Sequence, residues 1–204
     1  MFEIRIHGRG GQGVVTAAEL LSVAAFIEGR HAQAFPSFGS ERTGAPVVSF
    51  CRIDDRSIRT REPIAEPDAL IVVDPTLLHQ VNVFGGLKAD GWVLLNTSRS
   101  FRELRIDELF ERFDHTHFQT VPATELAREH LGRPLPNAAL LGGFAALAGV
   151  VSIGSVARAI RERFAGTVGE GNVTAAEEAF AFVRRASGRP VPQLTTRSPE
   201  PTNA

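Results

Sequence analysis

Gly8, Gly10 and Gly13 fall in the spacing G-x-G-x-x-G within IHGRGGQGVV, residues 6–15, directly behind an alternating stretch with the period of a strand. With Gly11 and Gln12 they form a loop that opens a helical pattern. Glycines at such a place let a phosphate approach the backbone. The helix N-terminus behind them offers unpaired N–H groups and a partial positive charge. The plainer reading is a tight strand-to-helix turn whose glycines serve only positive φ and close packing. Four glycines in the six positions 8–13 weigh toward anion binding. A dinucleotide site also needs an acid about 20 residues on to hold the ribose hydroxyls. That window is HAQAFPSFG, which holds none, and Glu28 comes too early. There is no G-K-[ST] ending, so a P-loop nucleotidase is excluded. The chemistry expected of the loop is phosphate binding without a ribose acid.

A second unusual stretch is FPSFGSERTGAPV, residues 35–47, which carries Ser40, Glu41, Arg42 and Thr43. Arg42 suits forked contact with phosphate or carboxylate, whereas the plainer reading makes Glu41 and Arg42 a solvated turn pair. The loop follows a strand taken to neighbour the glycine loop, and loops after adjacent parallel strands share one crevice. Asn96 and Thr97, with Ser98, end the strand of LLNTS, where they either contact a ligand or cap the next segment. His7 ends the first strand within reach of the loop, and His31 is a further candidate. His79, His115, His117 and His130 show no ligand spacing, so no metal site is expected. Cys51 is the only cysteine. It reads as a buried core thiol, unable by itself to hold an iron–sulfur cluster. No G-x-S-x-G elbow occurs, and no catalytic residue is expected.

These residues need strands and helices to place them. MFEIRIH alternates as a strand, and VVTAAELLSVAAFIEG has helical spacing with Gly29 as its stop. PVVSFCRI (46–53), ALIVVD (69–74), GWVLLN (91–96) and HFQTV (117–121) read as strands, three of them short and suited to a buried parallel sheet. TLLHQVNVF reads as a helix behind Pro75. ATELAREHL reads as another, started by Pro122 and closed by Gly132. Helical patterns follow at 138–151, 153–164 and 174–186, with Asn137 and Asn172 as caps or turn residues. The alternation predicts one three-layer α/β/α domain, residues 1–187, with a mostly parallel, Rossmann-like sheet. Residues 188–204 hold four prolines without periodicity and read as an extended tail.

Composition narrows the function classes. The chain has 204 residues, 43% hydrophobic and 22% charged, with a formal net charge of −1. Signs are interspersed, so there is no field to gather nucleic acid or an anionic membrane. No apolar run reaches the roughly 18 residues of a membrane span, and no signal-peptide layout opens the chain, so a cytoplasmic protein is expected.

The blocks GRGGQGVVTAAELLSVAA, FPSFGSERTGAPVVSFCRI, PDALIVVD, LLNTS, VPATELAREHLG and NAALLGGFAAL, in that order, resemble the γ subunit of the 2-oxoacid:ferredoxin (acceptor) oxidoreductases. The resemblance runs from residue 2 to about 185. The family usually carries a second Arg where this chain has Thr43, and the proline-rich tail lies outside its pattern. The resemblance implies oxidative decarboxylation of a 2-oxoacid on thiamine diphosphate and Mg²⁺, electron transfer through [4Fe–4S] clusters, and acyl transfer to coenzyme A. The partner chains would be of α, β and δ type, with ferredoxin as acceptor or NAD through an added flavoprotein. This chain would contribute to the coenzyme A site and to assembly, through Gly8, Gly10, Gly11, Gln12, Gly13, Ser40, Glu41, Arg42, Thr43, Asn96 and Thr97. The substrate stays open among pyruvate, 2-oxoglutarate, branched-chain and aryl 2-oxoacids such as phenylglyoxylate. Two alternatives remain at this point, a stand-alone NAD(P)-binding oxidoreductase and a purely structural assembly subunit.

Overall fold

A computed structural model describes residues 1–37, 43–106, 108 and 111–188. Ser40, Glu41, Arg42 and the tail beyond Gly188 lie outside the described residues. The elements are β1 (Phe2–Arg9), α1 (Val14–Ile27), β2 (His31–Pro36), β3 (Pro46–Asp54), β4 (Ala69–Val72), β5 (Trp92–Asn96), β6 (Phe118–Val121), α2 (Ala123–Leu131), α3 (Asn137–Ala148), α4 (Ile153–Arg163) and α5 (Gly166–Ala186). The six strands form one sheet in the order β2-β3-β1-β4-β5-β6. β1, β4, β5 and β6 are parallel, and β3 runs against both of its neighbours. The mostly parallel sheet expected from the sequence is present, with a single reversed strand.

Period-2 alternation divides the apolar side chains between two faces. Ile4, Ile6, Cys51, Ile71, Leu94 and Val121 join residues of all five helices in one core. Leu70, Val72, Val93, Leu95 and Phe118 point the other way, against Leu77, Val83, Leu87, Leu104, Ile106 and Phe113. The sheet is therefore the middle of three layers. The second outer layer consists of connecting segments and 3-10 turns in place of α-helices.

That layer corrects one expectation. TLLHQVNVF forms only a 3-10 turn, Pro75–His79, capped by the Asp74 side chain. Val81, Asn82 and Val83 have poor helix propensity, and Gly85–Gly86 follows at once. α5 departs in the other direction, starting at Gly166 rather than 174. Its glycines hide the helix from propensity, but close packing requires them. A Cβ on Gly169 would overlap the Phe164 carbonyl, and one on Gly171 would lie 2.7 Å from His130 O. Asn172 sits inside this helix and donates to Val168 O at 2.8 Å, so it is no cap. Asn137 is likewise the first helical residue of α3 behind Pro136, with no side-chain capping bond.

Cys51 is fully buried on β3, and burial pushes its thiol up to about 12. The thiolate is the reactive form. Iodoacetamide at pH 8 is therefore expected to leave the folded chain unlabelled and to modify Cys51 fully in denaturant. Rapid labelling of the native chain would contradict this placement.

Candidate functional site

β1 leads through α1 toward the β2 edge of the sheet, whereas β4, on the other side of β1, continues toward β5 and β6. The carboxyl ends of β1 and β4 thus flank the point where the winding reverses, the place at which open α/β sheets bind ligands. A cleft of about 780 Å³ lies there. Its walls come from Gly10–Gln12, Thr43, Asp74, Asn96–Arg99, the first turns of α2 and the segment Pro134–Pro136.

The glycines have different duties. Gly8 is buried, and a Cβ there would lie 3.0 Å from Val73 Cβ and 3.1 Å from Gln12 Oε1. It packs the strand end and does not face the cleft. Gly11 (φ +93°) and Gly13 (φ +75°) adopt left-handed conformations that favour glycine. A Cβ on Gly11 would meet nothing within 4 Å, while one on Gly13 would stand 2.8 Å from Asn137 Nδ2, where α3 begins. Gly13 precedes α1, whose first turn has no side-chain cap and no acid. Its N–H groups open into a smaller recess of about 300 Å³ bounded by Arg9, Gly10, Gly11, Val14, Thr16 and Val47. A helix terminus left uncapped and free of carboxylates favours an anion.

The second loop meets the first directly. Gly10 N donates to Ala45 O at 3.0 Å and Gly44 N donates to Gly10 O at 3.2 Å, with Thr43 bridged to Gly10. The reason differs from the expected one. β2 does not neighbour β1; β3 lies between them, and because it runs antiparallel its start arrives beside the glycine loop.

Asn96 holds the cleft floor. Its Nδ2 donates to Val73 O and to Thr124 Oγ1, both at 2.8 Å, and its Oδ1 accepts from Thr124 N at 3.1 Å. That side chain joins β4 and β5 to the start of α2. Thr97 Oγ1 accepts from Arg99 N at 3.1 Å. His31 lies at the far end of the sheet, paired with Asp54, and does not approach the cleft. His7 faces the second layer, is 6% exposed, and has no hydrogen-bond partner among the described residues at either ring nitrogen.

A family model described as pyruvate ferredoxin/flavodoxin oxidoreductase matches residues 3–182. The chain belongs to the pyruvate ferredoxin/flavodoxin oxidoreductase family. The pyruvate/ketoisovalerate oxidoreductases common subunit gamma of Pyrococcus abyssi is 51% identical over 180 residues, covering 88% of this chain and 96% of that one. The crystal structure of pyruvate oxidoreductase subunit PORC from Thermotoga maritima matches with a TM-score of 0.75 at 34% identity, over 88% of this chain and 95% of that one. At 16% identity, a likeness of fold alone, the chain also matches 31% of the 2-oxoglutarate:ferredoxin oxidoreductase chain from Magnetococcus marinus, with a TM-score of 0.70 over 90% of this chain.

In this member of the pyruvate ferredoxin/flavodoxin oxidoreductase family, two residues outside the expected set fix the loop geometry. Arg9 Nε donates to Asp74 Oδ2 at 3.0 Å, and its Nη2 donates to Thr76 Oγ1 and Gln80 Oε1, each at 2.8 Å. Its Nη1 reaches Gly44 O at 3.1 Å. Gln12 is clamped in the same knot, accepting from Arg9 N at 2.8 Å and donating to Asp74 Oδ2 at 2.9 Å. Burial raises the Asp74 carboxyl, but hydrogen bonds from Thr76 and Gln12 and the Arg9 charge outweigh it and hold the group below its ordinary value. Asp74 could have been found from its place at the end of a buried strand behind the switch point. Arg9 lay inside the glycine motif, read there only as a spacer. Among the described residues no helix is long and apolar enough to cross a membrane.

Proposed function

We propose that this chain is the γ subunit of a coenzyme A-acylating 2-oxoacid oxidoreductase, and that its glycine-loop cleft receives the coenzyme A diphosphate. The observation that carries this reading is the uncapped, acid-free start of α1 behind Gly10 and Gly11, which opens into the recess beside the switch-point cleft, while HAQAFPSFG holds no acid for a nicotinamide ribose. Coenzyme A suits such a site because it carries a diphosphate and a ribose phosphate. The main-chain N–H groups of the loop and first helical turn bind the diphosphate. Arg99 and Arg128 line the adjoining cleft together with Glu125 and with Asp74, whose carboxylate is paired with Arg9. Asn96 and the Arg9–Asp74 knot keep the loops in place, so that little ordering is needed when the ligand arrives.

Bound thiamine diphosphate and Mg²⁺ supply the decarboxylation chemistry, and [4Fe–4S] clusters carry the electrons; α, β and δ-type partner chains hold both. The single thiol here, buried and held protonated, fits that division. This chain binds and orients the acyl acceptor without making bonds itself. The thiamine-bearing partners choose the 2-oxoacid, and the names of the relatives favour pyruvate and ketoisovalerate. The test is native mass spectrometry of the tagged chain, purified without oxygen from its own cells. Arrival with larger partners carrying iron, sulfide and thiamine diphosphate supports the γ assignment. Arrival alone or as a homodimer overturns it.

A further inference from the structure

Where the last turn of α2 lies on α5, Glu129, His130 and Glu178 come together, with one ligand atom from each within 4.8 Å of the other two. They are the only such group of three among the described residues. We propose that they form a divalent-cation site, suited to Zn²⁺, that clamps α2 to α5. The proposal is independent of what the glycine cleft binds.

Packing brings the three side chains together. Gly171 lets the end of α2 settle on α5, since a Cβ there would lie 2.7 Å from His130 O. Glu178 follows Gly171 by two helical turns and so shares that face of α5. Sequence spacing could not show the group, because Glu178 stands on another helix far along the chain from His130.

His130 gives the first sign of a ligand. Its Nε2 is closed off from solvent and makes no hydrogen bond among the described residues. Glu178 Oε2 lies 3.1 Å away, but outside the alignment that a hydrogen bond needs. A buried ring nitrogen left unpaired is costly, and a cation on its lone pair removes that cost. The separation suits a shared ion, since two atoms bound to one tetrahedral Zn²⁺ stand roughly 3.3 Å apart.

Charge gives the second sign. Glu129 has neither an ion pair nor a hydrogen bond among the described residues, and Glu178 has only His130. Two carboxylates thus converge on one imidazole with no Lys or Arg paired to either, and a dication balances them. Imidazole with carboxylate favours Zn²⁺, whereas Mg²⁺ and Ca²⁺ prefer oxygen ligands alone. Three protein ligands leave the fourth position to water. α2 opens with Thr124 and Glu125 in the wall of the glycine cleft, so the clamp also steadies that wall.

The experiment is calorimetric titration of Zn²⁺ into the full-length chain, purified without a histidine tag and stripped with a chelator. One Zn²⁺ per chain is expected. At a hundredfold excess over the dissociation constant, the melting temperature should rise by about 5 °C or more. His130→Gln and Glu178→Gln should each weaken binding at least about tenfold and remove the rise. Glu177→Gln, one position from the cluster, should change neither. Glu129 and Glu178 are exposed, so Glu129→Gln and Glu178→Gln keep the test decisive if His130→Gln does not fold. Absence of zinc binding by the wild type, or binding that survives these ligand substitutions, overturns the site and leaves a His130–Glu178 ion pair. Equally tight binding of Mg²⁺ overturns it as well, because the imidazole would then play no part.

Discussion

Gly142→Ala is expected to destabilise the chain by about 3 kcal/mol, toward the upper range for overpacking a core. In an exposed helix interior the same change gains roughly 0.5–1 kcal/mol from lower chain entropy. Here the sign reverses because α3 and α5 cross at that point. A Cβ on Gly142 would overlap the Ala176 carbonyl, which is backbone and cannot move aside. α3 is buried on every side over Asn137–Leu147, so the displaced helix would disturb β5 and α5 together. Gly154→Ala in α4 is the control, since its Cβ would meet only Ser152 Oγ at 3.8 Å. Urea unfolding followed by circular dichroism should show a lower midpoint for the first variant and an equal or higher one for the second. Equal midpoints would mean that α3 and α5 do not approach as described.

Acid is expected to weaken the fold well above the range in which carboxylates titrate, and His7 is the cause. Its ring is buried beside Arg5, and burial, aided by that charge, lowers it from 6.5 to about 4. Between these values the unfolded chain binds a proton at His7 that the folded chain does not. Stability therefore rises with pH across the window and falls as pH drops from about 6.5 to about 4. The loss at the lower end amounts to about 3 kcal/mol, since each pKa unit is worth about 1.4 kcal/mol. Asp74 acts lower down: its depressed pKa stabilises the fold above the unfolded carboxylate range and is lost only on further acidification. Unfolding free energies measured at pH 7, 5.5 and 4.5 should fall steeply for the wild type and much less for His7→Gln. Parallel slopes would place a different group, or a partnered His7, behind the acid sensitivity.

Much of this architecture was legible because its signals are local. The alternation of Ile4 and Ile6 with Glu3, Arg5 and His7, the short buried runs of β4 and β5, and the four glycines ahead of Val14 each carry their own physical cause. Other features depend on contacts between residues distant in sequence. The start of α5 has weak propensity and is helical because its glycines fit against Phe164 and His130. The reversed direction of β3 brings Thr43 beside Gly10, and no pattern within PVVSFCRI states that direction. Within the site, the glycine loop was visible as a motif. The Arg9–Asp74 knot joins residues 65 positions apart, and no motif spans that distance. His31, named as a candidate, opens β2 at the end of the sheet away from the cleft, and no pattern within HAQAFP states that placement.

The central claim is that the glycine loop binds a phosphate and is not merely a turn, and Gly11 separates the two. Asparagine tolerates a positive φ better than most residues, and its side chain at position 11 would project into the open space proposed for the diphosphate. The most direct measurement is calorimetric titration of coenzyme A into the assembled complex carrying Gly11→Asn, beside the wild type. The account predicts intact assembly and an affinity at least about tenfold weaker, a loss of roughly 1.4 kcal/mol. Unchanged affinity in an intact complex would contradict it and leave the loop as a turn that only packs the fold.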